Sequence, residues 1–167
     1  QSLDADTTGF HNTAVGTSTL GANTTGSNNV AVGYNALNDN TTADGNTALG
    51  HNAMAVNTTG TQNVAVGYNS LDANTTASYN TAMGHAALSA CTTGAGNTAV
   101  GQISQDDITT GAQNTAIGAG SGHALTTGSA NTSLGYLANS TNTTGNHNIC
   151  IGLNAQPSTI TVSAQCT

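Results

Sequence analysis

The fold is decided by one stretch, Thr58-Thr59-Gly60-Thr61-Gln62-Asn63-Val64-Ala65-Val66-Gly67-Tyr68-Asn69-Ser70-Leu71-Asp72-Ala73-Asn74. The same seventeen-residue pattern runs from Thr7 to Thr159 in nine copies with no residue inserted or deleted. Internal repetition on this scale fixes architecture before any local propensity does. Numbering positions from the first Thr, positions one and two are Thr in every copy. Position six is always Asn: Asn12, Asn29, Asn46, Asn63, Asn80, Asn97, Asn114, Asn131 and Asn148. Position ten is always Gly, from Gly16 to Gly152, and position nine is always apolar. Position eight is Ala in seven copies, then Ser133 and Cys150.

Seventeen residues is short for a helical hairpin repeat, which takes roughly 33 or more. Asn, Thr and Gly also oppose helix, whereas β-branched residues at positions seven and nine suit strand. The pattern predicts an all-β, parallel β-solenoid (a β-roll) of nine 17-residue rungs. Position five to nine is read as a strand ended by Gly. Positions twelve to fourteen, such as Asn35-Ala36-Leu37, are read as a second short strand, and TTG as the return turn. Rungs about 4.8 Å apart give a rod of roughly 43 Å. The expected organisation is a lead-in over residues 1–6, a solenoid over 7–159 and a C-terminal strand or cap over 160–167.

Two columns have a structural reading at once. Identical amides stacked rung on rung can form a hydrogen-bonded ladder, so the nine position-six Asn are assigned that role. The Gly column marks a corner where a Cβ does not fit or φ is positive. Positions eight and nine are adjacent on a strand, so they face opposite ways, yet both are non-polar. One face fills the narrow interior; the other calls for a cover, and the simplest cover is another copy of the chain.

Composition narrows the function. The chain of 167 residues has no Lys, no Arg and no Glu, seven Asp and a formal charge of −7. A nucleic-acid binder needs cations to neutralise phosphates, and an anionic membrane surface makes the same demand. Both partners are excluded as expectations. Only 25 residues are Leu, Ile, Val or Phe, which alone would suggest disorder. Their fixed spacing argues against it. No run has the length of a membrane-spanning helix, and none reads as a signal peptide. The chain opens at Gln1, which fits a processed secreted form or an excised fragment. With three Cys, one intramolecular disulfide leaves one thiol over.

The recurring NTAVG and NTAIG, followed two residues later by AL or a similar pair, resembles the head repeats of trimeric autotransporter adhesins. It is similar also to NTA[VI]GxxAL…NTTG arrays of bacterial surface and phage tail-fibre-like proteins. The resemblance covers residues 7 to about 156. It implies a trimeric β-roll in which each chain forms its own coil, at the cell or virion surface.

Candidate chemistry is sparse. His11 and His147 share a column eight rungs apart, and His51 and His85 share another, near 10 Å apart on the rung spacing. No metal-binding spacing of Cys or His occurs. Ser89, Asp106 and His123 occupy one column on successive rungs, but a nucleophilic triad needs His between the other two. An Asp106–His123 surface contact is expected instead. No catalytic residue, metal site or cofactor is expected. Sequons occur at Asn23, Asn40, Asn57, Asn74, Asn131, Asn139 and Asn142. Five fall at position seventeen, where other copies carry Cys91, Ile108 and Leu125. A column that accepts Ile and Leu points inward, where no glycan fits. Leu also leaves position fourteen in two of those copies, for Gln105 and Gly122, as if a core stripe changed column. Asn139 is taken as the exposed acceptor. Cys150 is read as a small core residue. Beyond Pro157, Ile160-Thr161-Val162-Ser163-Ala164 alternates like a half-buried strand. Ile160, Val162 and Cys166 are therefore candidate assembly residues, by capping or by strand addition to a neighbour.

Three functions are weighed. The first is a structural or adhesive module of an extracellular fibre, with itself as partner (a trimer or an end-to-end filament) and a surface receptor or glycan as ligand. The second is ice binding by a Thr-rich solenoid. The third, a carbohydrate-active enzyme, needs carboxylates along a groove, and only Asp106 and Asp107 cluster.

Overall fold

The computed structural model describes residues 2–157. Ile160, Val162 and Cys166 lie outside them. The described chain is all-β without helix: nine three-residue strands, β1 (Thr13–Val15), β2 (Val30–Val32), β3 (Thr47–Leu49), β4 (Val64–Val66), β5 (Thr81–Met83), β6 (Thr98–Val100), β7 (Thr115–Ile117), β8 (Thr132–Leu134) and β9 (Ile149–Ile151). They form one parallel sheet in sequence order. Each residue pairs with its equivalent one repeat away, as in Thr13↔Val30 and Ala14↔Ala31. The chain is a β-solenoid, one repeat to each turn.

The strand is shorter than the expected five-to-nine span because position five is left-handed in all nine copies, from His11 (φ 58) to His147 (φ 57). Strand therefore begins only at position seven. The second strand expected at twelve to fourteen is absent. Those residues form a turn with positive φ at both twelve and fourteen, as at Asn35 (φ 58) and Leu37 (φ 51). The period-two burial expected of a strand gives way there to two buried neighbours, Ala36 and Leu37. Inter-rung bonding continues regardless: Asn35 N–H donates to Thr17 O at 2.9 Å and Leu37 N–H to Ala53 O at 3.1 Å. These backbone bonds are made by the stack rather than by conventional strands.

Gly is obligatory at position ten. Its φ lies between 120° and 143° throughout. From Gly16 to Gly135 a Cβ would meet the carbonyl of the next rung's Gly; for Gly67 it would crowd Gly84. Both conformation and space forbid a side chain.

The interior is narrow and filled by small residues facing large ones. Position eight supplies Ala31, Ala48, Ala65, Ala82, Ala99 and Ala116, all fully buried, and position fourteen supplies Leu20, Leu37, Met54, Leu71 and Leu88. At rungs six and seven, Ile108 and Leu125 enter the core from position seventeen while Gln105 and Gly122 stand at fourteen. The stripe does change column.

Candidate functional surfaces

The position-six Asn are buried behind the sheet from Asn29 onward, with Asn12 half-buried on the first rung. Their amides do more than stack. The left-handed residue at five leaves the N–H of position six without a main-chain acceptor, and the Asn one rung earlier supplies it. Asn63 Oδ1 accepts from Asn80 N–H at 2.9 Å, and seven equivalent bonds span 2.8–3.0 Å. Each Nδ2 from Asn12 to Asn131 donates to the position-three carbonyl of the following rung, as Asn63 does to Ala77 O at 2.8 Å. Direct amide-to-amide contact is the lesser part of this ladder.

Position seventeen builds a second ladder, and here amide meets amide. Asn40, Asn57 and Asn74 each donate Nδ2 to the Oδ1 one rung before, at 2.9, 3.1 and 2.7 Å. Cys91 then replaces the amide; its thiol donates to Gly94 O at 3.3 Å, the bond Asn74 makes to Ala77 O. The ladder stops there, leaving Asn74 Oδ1 buried without a partner. Burial pushes the Cys91 thiol up to about 11, so it is inert at neutral pH. Cys91 and Cys150 are both buried and unpaired among the described residues, and burial raises the Cys150 thiol too.

The sequons are closed. Asn23, Asn40, Asn57, Asn74, Asn131 and Asn142 are all buried, and so is Asn139, the acceptor expected to be exposed. Asn139 occupies the inward column fourteen, and neither amide atom has a partner among the described residues. Its place in the repeat, three residues before Asn142, carried this signal.

The outward face of the sheet carries positions seven and nine. Val15, Leu49, Met83, Ile117, Leu134 and Ile151 are exposed, Val15 by 57% and Ile151 by 64%. Beyond the Gly corner, position eleven adds a stacked file: Tyr34, His51, Tyr68 and His85, with ring centroids 5.1, 5.1 and 5.4 Å apart. These rings face one another and present their edges outward. The strip thus joins apolar and aromatic columns along the rod. None of the seven Asp falls in it; they occupy other positions of the repeat or the lead-in. A shallow recess on another side is lined by Asn28, Asp44, Gly45, Thr61, Gln62 and Tyr79, where Gly45 interrupts the side chains of column five.

The column of Ser89, Asp106 and His123 is not a triad. Ser89 Oγ reaches the Asp106 main-chain carbonyl at 3.5 Å, not the imidazole. His123 Nδ1 meets Asp106 Oδ1 at 2.5 Å, and its Nε2 lies 4.0 Å from Asp107 Oδ2. The hydrogen bond to Asp106 raises the His123 pKa above its ordinary value; desolvation opposes the rise, and the charges of Asp106 and Asp107 add to it. One ligand atom from each of these three residues lies within 4.8 Å of the others, the one such cluster among the described residues. With Nδ1 tied to Asp106 Oδ1, what remains to face a cation is Nε2, the Asp107 carboxylate and the second Asp106 oxygen. No described helix is long and apolar enough to cross a membrane. Comparisons with protein-family models, curated proteins and solved structures found no match.

Proposed function

We propose that this chain is a structural or adhesive module of an extracellular fibre, that it performs no catalysis, and that it works as a homo-oligomer. The observation that carries the reading is how the polar groups are spent. The amides of both Asn columns and the position-one hydroxyls are engaged in rung-to-rung bonds, leaving little to bind or transform a small substrate. What faces outward is a continuous apolar and aromatic strip eight rung spacings long, about 38 Å. Long contiguous exposed apolar surface is characteristic of protein–protein interaction sites. A second copy is the natural cover, because only a rod with the same rung spacing stays in register along all nine rungs. The repeat resemblance supports a trimer for this lateral packing, and the open ladder geometry of solenoid ends supports end-to-end stacking. A receptor or glycan would meet the outer columns.

Sedimentation velocity and negative-stain electron microscopy test the reading. Elongated oligomers or long threads are expected; a compact monomer at micromolar concentration would defeat it. Ice binding stays second, since the position-two threonines form a file of free hydroxyls, but on a bend rather than a plane. Thermal hysteresis at millimolar protein would promote it.

A further inference from the structure

The two threonines that open each repeat are treated differently by the fold. Position one is explained. Thr24 donates Oγ1 to Thr41 O at 3.0 Å, and the bond recurs at seven other rungs from Thr7 to Thr126 over 2.8–3.4 Å. Position two is not. Thr8, Thr25, Thr42, Thr59, Thr76, Thr93, Thr110, Thr127 and Thr144 are all exposed. None of their hydroxyls bonds to a described residue, although the backbone N–H of Thr25 is used, donating to Thr41 O at 3.2 Å.

A need for a β-branched residue does not account for this column. Position seven shows what that need alone produces: Thr13, Val30, Thr47, Val64 and Ile149 exchange freely. Position two never takes Val or Ile. Nor does recent duplication account for it. The exposed position five has drifted to His11, Asn28, Gln62, Tyr79, Gln113 and His147. Something outside the fold selects the oxygen itself.

We infer that the position-two threonines are a modification ridge, each hydroxyl the acceptor of one O-linked sugar. They sit on the bend of the rung, so they form a ridge that an enzyme can reach. The next residue is Gly or Ala in every copy, which leaves room beside the hydroxyl. The rung spacing of about 4.8 Å is close to the thickness of a pyranose ring, so one monosaccharide per rung stacks along the rod. Phosphate would answer the same chemistry, but nine dianions at that spacing would stand on a chain of charge −7 with no Lys or Arg to neutralise them. A neutral group fits. In the transfer, Thr Oγ1 attacks the anomeric carbon of a nucleotide-activated sugar bound to a host glycosyltransferase. The new O–C1 bond forms as the C1–O bond to the nucleoside diphosphate breaks, the hydroxyl proton passes to the transferase's base, and the diphosphate leaves.

Intact-mass spectrometry of the chain from its native source tests this. The expected result is a series above the mass of the unmodified protein, stepped by one sugar and reaching at most nine additions within residues 7–159. Alkaline β-elimination should remove them and mark the nine position-two sites as dehydrated threonine. A bare mass, steps of a phosphate, or sugars confined to other residues overturns the assignment. Replacing all nine by Val (Thr8→Val through Thr144→Val) in the same host should abolish the series while keeping the β circular dichroism. Should that variant fail to fold, the site map of the unaltered chain decides alone.

Discussion

Asn63 shows how much one side chain holds. Its carbonyl oxygen accepts the N–H of Asn80, and its amide donates to Asn46 Oδ1 and Ala77 O. Asn63→Ala leaves the buried N–H of Asn80 without its acceptor, which costs about 1–3 kcal/mol, while Ala77 O keeps the bond from Asn74. A loss of about 2 kcal/mol is expected from the midpoint of chemical denaturation. Asn139 predicts the opposite. In the first four rungs an Asn at seventeen accompanies Leu or Met at fourteen, as Leu37 accompanies Asn40; the eighth has Asn139 with Asn142. Since both amide atoms of Asn139 lack described partners, Asn139→Leu should stabilise the fold by about 1–2 kcal/mol on the same measurement. His123 adds a pH dependence. Its folded pKa is raised, so the stability it contributes is fully present below the unfolded value near 6.5 and is lost as pH rises through the folded one. The facing groups are Asp106 and Asp107, and the imidazole is 41% exposed, so screening limits the contribution to about 0.5 kcal/mol. His123→Gln should therefore lower the melting temperature slightly at pH 5 and leave it unchanged at pH 9.

The rung is the element, and its shape comes from residues whose conformation their names conceal. Gly at ten is readable from sequence, because no other residue tolerates its φ. The repeat, its register, the inward turn of column seventeen and the crossing of the core stripe were readable too. The left-handed residues at twelve and fourteen were not. Leu20, Leu37 and Leu71 occupy that region although Leu gives no sign of it; burial against position eight outweighs local preference. The strip from Asn35 to Leu37 therefore looked like strand. Asn139 was misplaced by weighing its sequon above its column. Position twelve offers a test. Five of its nine residues are Asn or Gly, which accept positive φ, but Ile103 holds φ 48. A β-branched residue is strained there. Ile103→Asn should raise stability by about 1 kcal/mol, read as a shift in the denaturation midpoint with no change in slope.

At the scale of the molecule, strand contacts among the described residues run only between successive rungs: β1 touches β2, β2 touches β3, and so to β9. Stability is then close to a sum of rung and interface contributions. Native-state hydrogen exchange should show protection falling from the central rungs toward both ends, rather than one global value; uniform protection would contradict a nearest-neighbour stack. A destabilising change at Asn63 should be felt most at rungs three to five.

The inter-rung hydrogen bonds lie along the rod, and that orientation governs what a pull does. Tension applied between the two ends loads the rungs in series, so every rung carries the full force and the weakest parts first. A parted rung releases seventeen residues, about 60 Å of extended chain at roughly 3.4 Å per residue, from a space that was about 4.8 Å tall. The rod therefore yields by unwinding, lengthening about twelve-fold per rung before its covalent chain is strained. In the fibre module proposed above, such yielding would act as a shock absorber.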